Sequence, residues 1–436
     1  MKKFVLMMVG LFLIGGSALA QDKEALKAQK AAMKEAESTL KKAKSTYELS
    51  IPNAQYGRKE TDFEKLDAAR ALIESAVANQ YTKDNALAWK TAADIEFEYF
   101  KKQDNEVKAD PENEQLKKDF IIKCSTLLNY CMKYDSLIVL DPKAKPEEVA
   151  KDHQKYQIIG VNTATQILQA AQNYSNSDAV EDLKKGASYS ELFLYTMEKS
   201  HLMNDFKHES LADWITYAKA FRAQSYYNIP GTPEDKIIAV YKDLMTTKYK
   251  GVAYQSLSNY YREKDPAKQS IYLQEGIEAL KGDADQRDLR ANFALILMQN
   301  LYSKKDFDGF QKIAQIVKDE FSDVDGAINA YLMEGQIAFE EKKDYLAAKA
   351  IFLAAKEKFP DDPKCLLMAA RSAWMQAMTN GSKKADLDEA LRLFKQLETE
   401  NPDDPELWGE SLYVLYNNTQ QTTEAAKYKK YYKAAQ

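Results

Sequence analysis

One four-residue mark occurs twice towards the C-terminal end of the chain. Pro360-Asp361-Asp362-Pro363 returns 42 positions later as Pro402-Asp403-Asp404-Pro405, and Glu320-Phe321-Ser322-Asp323 stands 38 before the related Lys358-Phe359-Pro360-Asp361. In such a mark the first proline stops a helix. The aspartates accept backbone N–H bonds, and the second proline fits the first turn of the next helix. Punctuation at this period divides a chain into helix hairpins. Composition agrees: 15 Gly and 11 Pro among 436 residues come to about 6%, where roughly 12% is usual. Sandwiches, barrels and doubly wound sheets spend those residues at every corner, so an all-α fold is expected.

The helix between the marks carries the detail. Ala348-x3-Phe352-x2-Ala355-x4-Pro360 is followed by Ala390-x3-Phe394-x2-Leu397-x4-Pro402. Small residues there let antiparallel helices approach closely, and the aromatic fills the seam. This pattern resembles the second helix of the tetratricopeptide repeat (TPR). Degenerate matches to that family's first helix are Trp89-x2-Ala92-Ala93-x2-Glu96-Phe97, Trp214-x2-Tyr217-Ala218-x2-Phe221, Leu332-x2-Gly335-Gln336-x2-Phe339 and Trp408-x2-Ser411-Leu412-x2-Leu415. The likeness is strong over 324–420, fair at 62–100 and 207–250, and architectural elsewhere. It implies a right-handed α-solenoid of about nine antiparallel helix pairs over 61–436, after an N-terminal helix and linker at 21–60.

Apolar periodicity places first helices near 22–48, 84–103, 146–175, 207–228, 251–263, 285–303, 324–342, 363–379 and 404–418. Their partners fall near 62–79, 114–140, 178–203, 233–249, 266–281, 306–321, 344–358, 385–400 and 422–434. The run Ser136-Leu137-Ile138-Val139-Leu140 has strand-like composition. It closes a long periodic segment, however, and reads as a last helical turn. The segment from Asp22 to Glu48, rich in Ala, Lys and Glu, reads as a capping helix or a partly frayed one.

Residues 1–20 have the pattern of a signal peptide: Lys2 and Lys3, an apolar run from Phe4 to Ile14, then Ala18-Leu19-Ala20. Export to a periplasm, or secretion, is expected, with Gln21 as the first mature residue and no lipid-bearing cysteine there. Loss of the two lysines moves the formal charge from −5 to −7. Acidic and basic residues are interspersed, so no basic stripe offers itself to nucleic acid. No later stretch approaches the ~18 uninterrupted apolar residues of a membrane span. Cys124, Cys131 and Cys365 form no metal or redox motif and read as small buried hydrophobes.

No nucleophile elbow, phosphate-binding loop or cation loop is present, and His153, His201 and His208 form no ligand pair in sequence. No catalytic residue, metal ligand or cofactor is expected. The 27 tyrosines read mainly as hairpin packing. Matching to the family's first helix places Lys90, Asp94, Lys219, Arg222, Arg371, Tyr413 and Tyr416 in a concave groove. There a protein or peptide partner would bind by charge-assisted hydrogen bonds. The expected role is a non-enzymatic interaction scaffold of the cell envelope. The alternative is a glycan-binding module of the starch-utilisation type, which needs a coplanar cluster of exposed tyrosines. A hydrolase would need a cleft in which two carboxylates converge on one of the histidines.

Overall fold

The computed structural model describes residues 18–432. The signal-peptide pattern lies almost wholly outside them. The chain divides into two compact units, 1–244 and 245–436. The first unit holds α1 (Ala18–Ser50), α2 (Phe63–Ala78), α3 (Ala86–Ala109), α4 (Glu114–Ile138), α5 (Pro146–Ser175), α6 (Val180–Lys199), α7 (Leu211–Asn228) and α8 (Glu234–Leu244). The second holds α9 (Lys250–Tyr261), α10 (Pro266–Ala279), α11 (Arg287–Ser303), α12 (Phe307–Glu320), α13 (Ile328–Gln336), α14 (Tyr345–Lys358), α15 (Pro363–Thr379), α16 (Lys384–Glu400), α17 (Gly409–Asn418) and α18 (Thr422–Tyr428). Among the described residues there is no strand, only one isolated bridge between Asn53 and Arg58. Each helix packs on its neighbours in sequence within its unit, which makes each unit a stack of helix hairpins, an α-solenoid arrangement.

Helix starts follow the caps. Asp62, Asn85, Asn113, Asp306 and Asp344 each accept a backbone N–H of the first turn. At the first proline mark Asp362 Oδ1 accepts from Lys364 N at 2.8 Å, and Pro363 opens α15. The second mark behaves differently. The expected helix near 404–418 begins only at Gly409, because Trp408 stays outside it and donates its indole N–H to Asn401 O at 2.8 Å. Gly409 then leaves room for Tyr431, whose ring a Cβ would meet at 2.7 Å. The helix near 324–342 is likewise shortened. Gly326 turns the chain at φ +88°, and α13 continues into a π turn, Ile337–Glu341.

The aromatic seam takes the expected form. Phe352 on α14 is fully buried, as are Ala348 and Ala355. A Cβ on Gly335 of α13 would stand 2.4 Å from the Phe352 ring. Hydrogen bonds Tyr302–Gln336 (3.3 Å) and Lys305–Glu341 (2.7 Å) tie the end of α11 and the turn after it to α13 and its π turn at offsets of 34 and 36 residues. Ion pairs Lys349–Glu389 (3.6 Å) and Lys356–Glu400 (2.6 Å) tie α14 to α16. Alternate helices therefore run parallel, one repeat apart. Helix α1 is continuous; Ala36, Leu40 and Ala43 are buried and join the cluster with Leu66, Ala69 and Ile73 of α2. The three cysteines are buried and unpaired. Burial pushes the Cys124 thiol up to about 12 and that of Cys365 to about 11.

Because Gly335 meets a ring that cannot retreat, Gly335→Ala should destabilise the second unit by about 1–3 kcal/mol. Urea denaturation measures this, and pairing the substitution with Phe352→Leu should recover part of the loss. An unchanged midpoint for Gly335→Ala would contradict the seam.

Candidate functional site

Two of the residues expected in a groove lie one turn apart on α3, and α5 answers both. Lys90 pairs with Asp152, which also accepts from Tyr134 OH at 2.5 Å. Asp94 accepts from Lys155 Nζ at 2.5 Å and from Tyr156 OH at 2.6 Å. The Lys90–Asp152 and Asp94–Tyr156 contacts share an offset of 62 residues, so α3 and α5 run parallel and in register. Burial, then the carboxylates of Asp152 and Asp94, holds the Tyr134 and Tyr156 hydroxyls well above the usual phenol range. Between α1, α3 and α5 opens a cleft of about 470 Å³. Lys90 and Asp94 form its floor, while Lys44, Glu48, Lys145 and Glu148 stand exposed on its walls.

Lys219 and Arg222 on α7 also come together, but their charges are met within the chain. Lys219 Nζ lies 2.9 Å from Asp243 and 3.4 Å from Glu198, and Arg222 pairs with the same Asp243. Burial opposes the charge on Asp243, yet the Lys219 and Arg222 cations outweigh it and hold its carboxyl below the ordinary value. Arg371, Tyr413 and Tyr416 belong to the second unit. Arg371 is exposed on α15. Tyr413 is half-buried with its ring centroid 4.7 Å from that of Tyr432. Tyr416 is buried in the core, stacked on Tyr428 at 5.6 Å. The tyrosine doublets mostly pack: Tyr261 is buried, Tyr226 donates to Glu191 at 2.6 Å, and Tyr431 packs edge-on to Trp408.

Although His153 and His201 form no ligand pair in sequence, the fold brings both to one carboxylate. Asp135 on α4 is only 1% exposed. Its Oδ1 lies 2.6 Å from His153 Nδ1 on α5, and its Oδ2 lies 2.6 Å from His201 Nδ1, in the short turn after α6. His153 Nε2 is 3.1 Å from Asp205 Oδ1, which Gln157 Nε2 also holds at 2.7 Å. Burial disfavours the charged ring of His153, but the bonds to Asp135 and Asp205 outweigh it and raise its pKa. Two carboxylates thus converge on one histidine, the convergence set out above for a hydrolase. The adjoining cavity of about 870 Å³ is lined by both histidines with Gln154, Gln157 and Asn204, and His201 also borders a second cavity with Ser136 and Ser200. Separations of 18, 52 and 66 residues hide the cluster from motif reading. The available signal was an acid on the core face of α4, one turn beyond Cys131. His208 stays apart, stacked on Trp214 at 4.5 Å.

No protein-family model matches the chain, and no curated protein matches it. Among solved structures it is similar to yeast Tom70 at 12% identity and a TM-score of 0.24, over 89% of this chain and 91% of that one. It is similar to the TPR domain of P58(IPK) at 15% identity and 0.24, over 89% and 99%. It is also similar to the human IFIT1 dimer with PPP-AAAA at 14% and 0.22, over 95% and 87%. At these TM-scores the fold assignment rests on the helix pairing described above. Among the described residues no helix is long and apolar enough to cross a membrane.

The Asp243 pairing has a pH signature. Its lowered pKa contributes stability that is present above pH 3.8, the ordinary aspartate value, and is lost as pH falls through the folded value. Lys219, raised above 10.5, contributes fully below that pH and loses its share above it. Asp243→Asn should therefore cost about 1 kcal/mol near pH 7, allowing for solvent screening, with the difference from wild type closing below pH 3.8. A denaturation series from pH 7 down through the folded titration of Asp243 reads both, and a difference that never closes would contradict the pairing.

Proposed function

We propose that this chain is a non-enzymatic interaction scaffold of the cell envelope, a TPR-like protein exported by its N-terminal signal, and that the α1–α3–α5 cleft receives a protein partner. The observation that carries this reading is the preformed floor of that cleft. Lys90 and Asp94 are each fixed by a group of opposite charge or a tyrosine hydroxyl from α5. A floor already ordered loses little conformational freedom when a segment docks. Walls that carry both signs, with Lys44 paired to Glu48 and Lys145 to Glu148, suit an extended polar segment of mixed charge. The interspersed, internally paired cations do not favour nucleic acid. The glycan-binding alternative draws no support from the tyrosines, most of which pack or donate inside the fold.

The test uses wild-type protein recovered from the envelope fraction of its source cell, with its N-terminus read for a start at Gln21. Substitution of exposed wall residues, Lys44→Glu together with Lys145→Glu, should lower capture of the co-purifying partner at least tenfold and leave the thermal midpoint unchanged. Undiminished capture would contradict the cleft as the docking site. An uncleaved N-terminus would contradict the export assignment.

A further inference from the structure

We propose a site for a divalent first-row transition ion of the zinc class, held by Asp135, His153 and His201. This inference goes beyond the scaffold reading and stands independently of it. One ligand atom from each of the three residues lies within 4.8 Å of the other two. Both Nδ1 atoms point at the carboxylate, one on each oxygen, at 2.6 Å. A buried carboxylate calls for compensating charge, and Asp135 is held by two imidazoles, His153 and His201. A divalent ion in place of the protons between these atoms would bring two nitrogens and a carboxylate oxygen to one centre.

The surroundings match how metal-bound histidines are held. A ligating ring commonly donates its second N–H to a carboxylate or carbonyl, which fixes the tautomer and the ring plane. His153 has that arrangement: Nδ1 towards Asp135, and Nε2 towards Asp205 at 3.1 Å. Asp205 is in turn held by Gln157, whose amide also donates to Leu202 O at 3.1 Å. Four-coordinate zinc with bonds of about 2.0–2.1 Å spaces its ligands about 3.3 Å apart. The three groups would therefore separate slightly from their present contacts, and His201 has room to do so, with its side chain 46% exposed on a three-residue turn. Three protein ligands leave a coordination position open, and His153 and His201 both line the cavity of about 870 Å³ beside them. Imidazole with carboxylate selects zinc, iron or similar ions over magnesium and calcium, which prefer all-oxygen shells.

The experiment is titration of the EDTA-stripped full chain with Zn2+ against a chromophoric chelator, followed by Co2+ substitution. We expect one equivalent of Zn2+ bound, not displaced by millimolar Mg2+ or Ca2+. His153→Gln and His201→Gln should each weaken affinity more than about a hundredfold, while His208→Gln leaves it unchanged. The Co2+ form should show visible d–d bands and paramagnetically shifted ring signals from two histidines, a readout on the wild-type chain that does not depend on any variant folding. Absence of saturable binding would overturn the site. So would affinity retained in both variants, or a Co2+ form with no shifted histidine signals.

Discussion

The contact on which the rest depends is the close approach of two helices through a small residue facing an aromatic ring. Gly335 lies against Phe352 in the second unit, Gly276 against Phe293, and Gly409 against Tyr431. Each contact fixes how far apart neighbouring helices sit and which faces remain outside. Once that spacing repeats, side chains on alternate helices meet at offsets near the repeat length. The Tyr302–Gln336 and Lys349–Glu389 contacts are consequences of that repetition. Packing of this kind needs little glycine or proline beyond the junctions, which accounts for the composition.

The polar groups of the first unit follow from the parallel course of alternate helices. Parallel α3 and α5 bring Lys90 to Asp152 and Asp94 to Lys155 and Tyr156, so the cleft floor is a set of satisfied charges before any partner arrives. The same economy operates at α7, where Asp243 serves both Lys219 and Arg222. Asp135 is the departure from it. This nearly buried carboxylate is held by two imidazoles, whereas the buried Glu96 meets Arg70 and Lys123 and the buried Glu98 meets Lys101.

Much of this architecture was legible in the sequence. Helices α5 and α15 fall on their expected bounds because Pro146 and Pro363 mark their first residues. The start of α17 was not legible, since Trp408, buried in the core and bonded to Asn401 O, precedes the helix and delays it by a turn despite Pro405. Lys90 and Asp94, which the first-helix pattern places together, both line the cleft between α1, α3 and α5. The partners of Lys219 and Arg222 were not found, because Glu198 and Asp243 approach from α6 and the end of α8. Tyr416 carried the spacing of a groove residue, yet Tyr428 covers it from α18. The histidine cluster joins three elements that share no local spacing.

The central claim is that neighbouring first helices of the first unit are latched side by side, so the cleft exists before binding. A double-mutant cycle of Asp94→Asn and Tyr156→Phe, read by chemical denaturation, tests it most directly. The two groups meet at 2.6 Å across α3 and α5, and the account predicts a coupling energy of about 1 kcal/mol or more. Strict additivity, within roughly 0.3 kcal/mol, would contradict it.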